Sequence, residues 1–464
     1  MEFVDYTIGE LMNSLKTGKT PKTSNSEYFD GDIVWMTPSD FKGQKYAVTS
    51  ERTITAVALE KNEAQLYETN TVLISTIGDI GKVAIVKKPV SANQQITGVK
   101  INENILLPEL FYYWLILNKK ILENKANRAI ISQLNNKLLR RISLKFPKEL
   151  KDQQNFILYL NKTQELIDLR ITSIKKLDDY IKSLFFESFG DPIHDNKGLG
   201  KKTLSFYGKW RTGSTPPKNS SLYYSGDIPW LTSGELNETY TYTSKNHITQ
   251  SALSETSVKK VEANSLLIGM YDTAALKISI IKVDASCNQA IAFSKLDEEK
   301  CHPLFIYYNL LYSRDYYLNK RKGARQKNFK LSMIESLEIL DAKPLHQKDF
   351  ANKVERILTL ITKYQIHLDH LKILFQSTLQ KAFTDDTEID ENLFFEDILP
   401  NLNLNDLKEK RRLNILIDWM NKKNNRFTTF EKYDEAYKII LDLLNDGTLE
   451  QEFIQNGIIL KIKQ

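Results

Sequence analysis

The sequence predicts an α+β protein: two copies of one mixed α/β globular unit, separated by two long antiparallel coiled-coil helices and followed by a small, mainly helical C-terminal extension. Three observations predict it. A heptad seam occurs twice, a glycine- and proline-bearing opening segment occurs twice, and both repeats share an offset of 194 or 195 residues. At 464 residues the chain is also too long for one ordinary core.

The first globular unit, 1–150, opens with TGKTPKTSNSEYFDGDIVWMT at 17–37, and the second, 192–346, with TGSTPPKNSSLYYSGDIPWLT at 212–232. Gly18, Thr20, Pro21, Tyr28, Gly31, Asp32, Ile33, Trp35 and Thr37 return without a gap as Gly213, Thr215, Pro216, Tyr223, Gly226, Asp227, Ile228, Trp230 and Thr232. Asn93-Gln94 returns as Asn288-Gln289, and Pro108 with Tyr112-Tyr113 returns as Pro303 with Tyr307-Tyr308. Residues 1 to about 384 are therefore a duplication. Within the first copy, 32–37, 71–76, 82–86 and 96–101 are short β-branched runs bounded by Gly, Asp or Asn, the pattern of strands. The stretch 110–122 is apolar at helical spacing after a proline start. Trp35 and Trp230, inside matched strands, are expected in the core, and Gly31-Asp32 and Gly226-Asp227 are expected to turn the chain just before them.

Helices are expected at 151–191 and 347–384. Leu160, Ile167, Ile174 and Ile181 stand seven apart, with Ile171, Leu177 and Leu184 filling in; Val354, Ile361, Leu368 and Phe375 repeat the seam, with Leu371 matching Leu177. No proline or glycine interrupts either run, so each is a rod of roughly 50 Å at ~1.5 Å per residue. FGDP at 189–192 places a glycine and a proline where the first helix should stop. A gap-free duplication of this order folds most simply about an approximate two-fold axis, the rods antiparallel. The extension, 385–464, holds a capping box at Thr428 and Glu431, an amphipathic run at 433–444 and a final IILKI, which suit a helical clip on the second rod.

Charge is distributed unevenly. Beyond Thr384, 17 acidic residues face 11 basic ones, a net of −6; with +6 overall, residues 1–384 carry +12. A basic body with an acidic tail suits a polyanion, whose phosphates Lys and Arg neutralise. Cys287 and Cys301 are the only cysteines and lack ligand spacing, and the run 110–117 is too short to span a bilayer, so an intracellular, cytoplasmic protein is expected. His367 and His370, three apart, lack a third metal ligand; no metal site is expected. Methyltransferase motifs of the NPPY or DPPY type and a GxxxxGK[ST] phosphate loop are missing, and the ExK triplets at 123–125 and 298–300 follow no strand with an upstream aspartate. No catalytic residues are assigned.

Base edges and phosphates need Arg, Lys, Asn, Gln or hydroxyl donors. In the first unit the candidates are Lys19, Lys22, Lys42 and Lys45 around the opening loop, with Arg128, Gln133 and Asn135 before the rod. In the second they are Lys209, Arg211 and Lys218, with Lys320, Arg321, Lys322, Arg325, Gln326 and Lys327 in the densest basic run of the chain.

Taken together, the twin TGxTP…GDIxW openings, ISTIGDIGKVAIV at 74–86, KSLFFESFGDP closing the first rod and LFQSTLQKAF closing the second resemble the specificity (S) subunits of type I restriction-modification systems. The resemblance covers residues 1 to about 384. It implies two target recognition domains that read a bipartite, asymmetric sequence in double-stranded DNA. The rods would set the spacer and dock two methyltransferase (M) subunits, and restriction (R) subunits would join through the complex. It further implies that the chain is not an enzyme and binds no cofactor, S-adenosylmethionine, Mg and ATP belonging to the partners. The sequence departs from the family pattern at 268–280, IGMYDTAALKISI, where both turn glycines are lost and the hairpin must turn differently, and in the extension. A protein-pairing scaffold without DNA binding, and a self-contained methyltransferase or nuclease, are the competing readings.

Overall fold

The computed structural model describes residues 1–128, 132–217, 219–320, 328–384, 443–444, 448–454 and 457–462. The chain divides into two compact units: residues 1–171 together with the chain from 366 onward, and residues 172–365. Each long helix contributes one half to each unit.

In the first unit the strands are β1 (Phe3–Thr7), β2 (Met12–Thr17), β3 (Phe29–Met36), β4 (Tyr46–Ala47), β5 (Thr53–Ile54), β6 (Leu66–Tyr67), β7 (Thr71–Ser75), β8 (Val83–Val86), β9 (Val90–Ala92) and β10 (Ile96–Ile101). They form a five-stranded sheet, β2-β10-β7-β8-β4, and a four-stranded one, β5-β3-β9-β6. β7 is buried on both faces, which is why its sequence, TVLIS, does not alternate. β1 pairs antiparallel with Ser143–Pro147, so the two ends of the globule meet. The second unit repeats the plan: Arg211–Thr212, Ile291–Ser294, Leu266–Gly269, Ile278–Ile281 and Tyr240–Thr241 make its five-stranded sheet in that order. Register is repeated too, since Trp35 pairs in parallel with Ser91 and Trp230 with Ser286.

The repeated residues hold the frame. Trp35 and Trp230 are 3% and 8% exposed, and their Nε1 groups donate to the carbonyls of Lys19 and Ser214 at 3.2 and 3.1 Å. Gly18 and Gly213 recur because the chain crosses another strand end there: a Cβ would stand 2.2 Å from the Asn93 carbonyl oxygen or 2.1 Å from that of Cys287. The turn expected at Gly31-Asp32 and Gly226-Asp227 is corrected, for both pairs lie within strands, at a bulge whose positive φ falls on Asp30 (58°) and Ser225 (62°). The glycines serve close approach there, a Cβ on Gly31 or Gly226 meeting the carbonyl oxygen of Ile54 or Ile248 at 2.6 or 2.4 Å. The turn after β7 uses Gly78 and Gly81 at φ 82° and 85°. Its counterpart uses a short 3-10 turn, Asp272–Ala274, and puts Leu276 at φ 55°. The hairpin does turn differently.

The long helices run from Leu150 to Phe189 and from Pro344 to Lys381. Pro344 suits the first helical position, and Gly190 (φ 79°) with Pro192 ends the first helix. In the first unit Leu160 and Ile167 share a core with Phe375, Leu379 and Phe383, Leu368 packing at its edge. In the second, Ile181, Phe185 and Phe189 share a core with Phe350, Val354 and Ile361, Ile174 packing at its edge. The early half of one helix thus meets the late half of the other in each unit, which makes them antiparallel. Each buried side chain of this seam is worth roughly 1.5–3 kcal/mol. Ile171 departs from the expected seam: it is 50% exposed.

Of the extension, 443–444 are helical and Leu449–Ile454 pairs antiparallel with Gly457–Ile462. The expected mainly helical character is corrected at this end, where IILKI lies in the second of two antiparallel strands, a state that its β-branched run favours. The capping box at Thr428 and Glu431 and most of the amphipathic run lie outside the described residues. Among the described residues no helix is long and apolar enough to cross a membrane.

Candidate nucleic-acid interface

Where the first globule meets its long helix, four polar groups close on one another. Lys45 Nζ donates to Glu109 Oε2 and, at 2.6 Å, to Asn161 Oδ1 on the helix, while the Tyr46 hydroxyl donates to Glu109 Oε1 at 3.2 Å. The rings of Tyr113, Tyr46 and Tyr112 surround the ammonium, the nearest at 4.8 Å. Burial pushes the Lys45 pKa below its ordinary value, against the pull of Glu109. Burial alone would raise Glu109, but donors from Asn161, Lys45 and Tyr46 together hold it below the usual carboxylate range. Lys45, its side chain 18% exposed, thus joins globule to rod with its charge paired to Glu109. The second unit joins the same corner differently. The Tyr240 hydroxyl donates to Glu355, which occupies the position of Asn161, and Lys282 sits 4.3 Å over the Tyr240 ring. Matching cavities of about 530 and 590 Å³ open beside these corners, one lined by Lys87, Glu103 and Asn161, the other by Lys282, Glu298 and Glu355.

At another edge of the first globule, four segments converge. The Leu134 amide donates to the Thr76 carbonyl at 2.9 Å, the Thr76 amide to the Gln95 carbonyl at 2.8 Å, and Ile77 bridges Gln133. Hydroxyls and an amide knit the floor: the Thr97 hydroxyl lies 3.2 Å from that of Thr17 and 3.3 Å from that of Thr76, and Asn136 Nδ2 donates to Thr17 at 3.0 Å. Thr20 donates to the exposed Gln94, as Thr215 donates to Gln289 at 2.6 Å. In the second unit the Phe329 amide donates to the Met270 carbonyl at 2.8 Å, and the Met270 amide to the Ala290 carbonyl at 2.9 Å. The backbone is the same, but Met270, Ala290, Ala292 and Leu331 replace Thr76, Gln95, Thr97 and Asn136.

Several sequence candidates lie on or beside this edge. Gln133 is exposed on it. Lys19 is exposed and donates to the Asn62 carbonyl and side chain at 3.2 and 3.1 Å. Lys22, 75% exposed, stands 3.8 Å from Glu63, a contact worth ~0–1 kcal/mol that a phosphate can replace. Asn135 Oδ1 caps the short helix Asn136–Arg140 by accepting from the Leu138 amide at 2.9 Å. Lys42, Lys209 and Arg211 are exposed. Lys320 closes the helix Pro303–Lys320 with its ammonium 4.5 Å over the Tyr316 ring. Lys218, Arg321, Lys322, Arg325, Gln326 and Lys327 lie outside the described residues, as does the side chain of Arg128. Sequence reasoning missed Gln94, Gln95 and Gln289; the recurrence of Asn-Gln at 93 and 288 was the available signal. Among the described residues no cluster of metal-ligating side chains occurs, and the exposed His367 and His370 have no third ligand. Burial pushes both cysteine thiols up to about 12, so neither is a poised nucleophile.

Two globules on one plan, with matched scaffolds and unlike polar edges, each packed on its own halves of the two long helices, define a duplicated α+β chain. The comparisons with known proteins make this specific. The family model described as the type I restriction modification DNA specificity domain matches residues 1–178 and again 202–380, and the chain belongs to that family. The MjaIX specificity subunit of Methanocaldococcus jannaschii is 25% identical over 407 residues, 83% of this chain and 92% of that protein. The EcoR124I/EcoR124II specificity subunit of Escherichia coli is 29% identical over 211 residues, 43% of this chain and 50% of that one. The crystal structure of the S subunit of a type I restriction-modification system from M. genitalium matches with a TM-score of 0.57 at 14% identity, covering 83% of this chain and 97% of that one.

Proposed function

We propose that this chain is the DNA-recognition subunit of a type I restriction-modification complex. Each globule contacts one part of an interrupted, asymmetric duplex target, and the chain itself does no chemistry. The long helices set the gap between the two parts and dock two methyltransferase subunits, through which restriction subunits join. S-adenosylmethionine, Mg and ATP are held by those partners. The carrying observation is the duplication itself: one scaffold, repeated in register, bears two different edges. Unlike edges on like scaffolds read unlike sequences, so the half-sites need not be palindromic. The net charge of +12 on residues 1–384 supports a polyanionic ligand. Protein docking is supported by a second apolar face on the helices, where Leu158, Tyr159, Leu166 and Leu169 are each at least half exposed and Leu374 is 53% exposed.

The test is selection from a random duplex pool by the chain assembled with its methyltransferase partner. Two unlike blocks at one fixed spacing are expected. A single continuous block, or no enrichment, would refute the reading. Incubated alone with DNA and either labelled S-adenosylmethionine or Mg, the chain is expected to neither methylate nor cut, and turnover would favour the self-contained enzyme instead.

A further inference from the structure

The duplication is an internal control on which side chains read bases. What the two globules share at one structural position serves what their targets share, namely the phosphate backbone; what differs there can serve sequence. The pairs Thr20–Gln94 and Thr215–Gln289 are shared. Position 95 is not. In both units an asparagine makes the same turn, Asn93 Oδ1 accepting from the Gln95 amide at 3.1 Å and Asn288 Oδ1 from the Ala290 amide at 3.0 Å. Only in the first unit does the residue after the shared Asn-Gln pair carry a side chain long enough to reach the edge.

We propose that Gln95 is a specificity-determining residue of the first globule, reading a purine, adenine first, in its half-site. This rests on the recognition reading above. Three features single it out. Asn93, 7% exposed, donates from Nδ2 to Gln95 Oε1 at 3.0 Å, which fixes the amide plane and shows which end is oxygen. Gln95 Nε2 has no acceptor among the described residues and is half-buried, so it is held ready and not freely waving. Gly78, at φ 82°, faces it: a Cβ there would stand 3.8 Å from Nε2, and any longer side chain would begin to cover it. The Oε1 atom keeps a second lone pair, so the amide presents one donor and one acceptor side by side, the pattern that matches adenine N7 and N6 in the major groove. Gln94 and Gln133 are exposed on either side, and Asp79 on the same turn is offset by Lys82 at 3.1 Å and Lys119 at 3.6 Å, which limits its repulsion of a phosphate. The second globule places buried Ala290 at this position, so its half-site is read by other means.

The experiment repeats the pool selection with Gln95→Glu and Gln95→Ala in the full chain with its methyltransferase partner. Gln95→Glu keeps the acceptor for Asn93 and removes the outward donor, so the turn survives while the recognition pattern inverts. One position of one half-site is expected to lose its purine preference by roughly 5- to 100-fold and to shift toward cytosine, whose N4 group donates. Gln95→Ala is expected to relax the same position without a new preference, and the other half-site is expected to stay unchanged in both. An unchanged motif, or a uniform weakening across all positions, would overturn the assignment, the second result marking a structural or phosphate-positioning role. Failure of the unaltered protein to select any motif would instead bring down the recognition reading and this inference with it.

Discussion

Replacing Gln153 with alanine should loosen the joint between the first globule and its helix. Gln153 is fully buried near the start of the first long helix. Its Nε2 donates to the carbonyls of Ile105 and Pro147 at 2.9 and 2.8 Å, and its Oε1 accepts from the Leu107 amide at 2.9 Å. Three backbone groups on two segments of the globule, that of Pro147 buried and the other two half-buried, therefore depend on one side chain. At ~1–1.5 kcal/mol for each lost hydrogen bond, with a further contribution from the cavity, the loss should total about 3–5 kcal/mol. With a urea m-value of ~3 kcal/mol/M, the unfolding midpoint of the first unit should fall by roughly 1 M or more, followed by far-UV circular dichroism. Gln153→Glu keeps the acceptor but forfeits both donors, and should lose at least as much. A midpoint within about 0.2 M of the unaltered chain for both variants would refute the reasoning. The same joint recurs in the second unit, where Gln347 donates to the Ala342 carbonyl at 2.7 Å and accepts from the His302 amide at 2.8 Å.

Three other outcomes are expected. Gly213→Ala puts a methyl group 2.1 Å from the Cys287 carbonyl oxygen, so it should cost the second unit more than ~2 kcal/mol, measured by denaturant unfolding, and Gly18→Ala should act likewise in the first. Glu109 has a depressed pKa in the folded chain, so its contribution is present above its unfolded pKa and is lost as pH falls through the folded value; Glu109→Gln should flatten the acid limb of a stability–pH profile below about pH 4.3. Replacing Arg321, Lys322 and Arg325 by alanine should weaken DNA binding across sequences and reduce the slope of log K against log salt by ~0.9 for each phosphate contact removed, read by fluorescence anisotropy. An unchanged slope would remove that run from the interface.

Much of the fold was legible because its signals are local or repeated. The seam through Leu160, Ile167, Val354 and Ile361 is written at helical spacing, and an exact offset between Trp35 and Trp230 exposes the second copy. Glycines and side-chain roles were harder to read. Gly31 looked like a turn residue, yet its constraint comes from Ile54, 23 positions away, whose carbonyl leaves no room for a Cβ. Lys45 reads as a DNA-contact candidate of the opening loop; Glu109 and Asn161, which pair with it, are distant in sequence, and nothing local announces the pairing. Asn135 carries the right chemistry for adenine but spends its carbonyl on a helix cap. Gln95 was passed over for the converse reason, since its orientation depends on Asn93 and on the space before Gly78.

The most direct measurement is methylation mapping of the genome of a host that carries this chain together with its methyltransferase partner. The account predicts modified adenines within one recurring motif made of two unlike blocks at a constant gap, with modification absent when this chain is omitted. Modification that persists without the chain, or a motif that is continuous or a single repeated block, would contradict it.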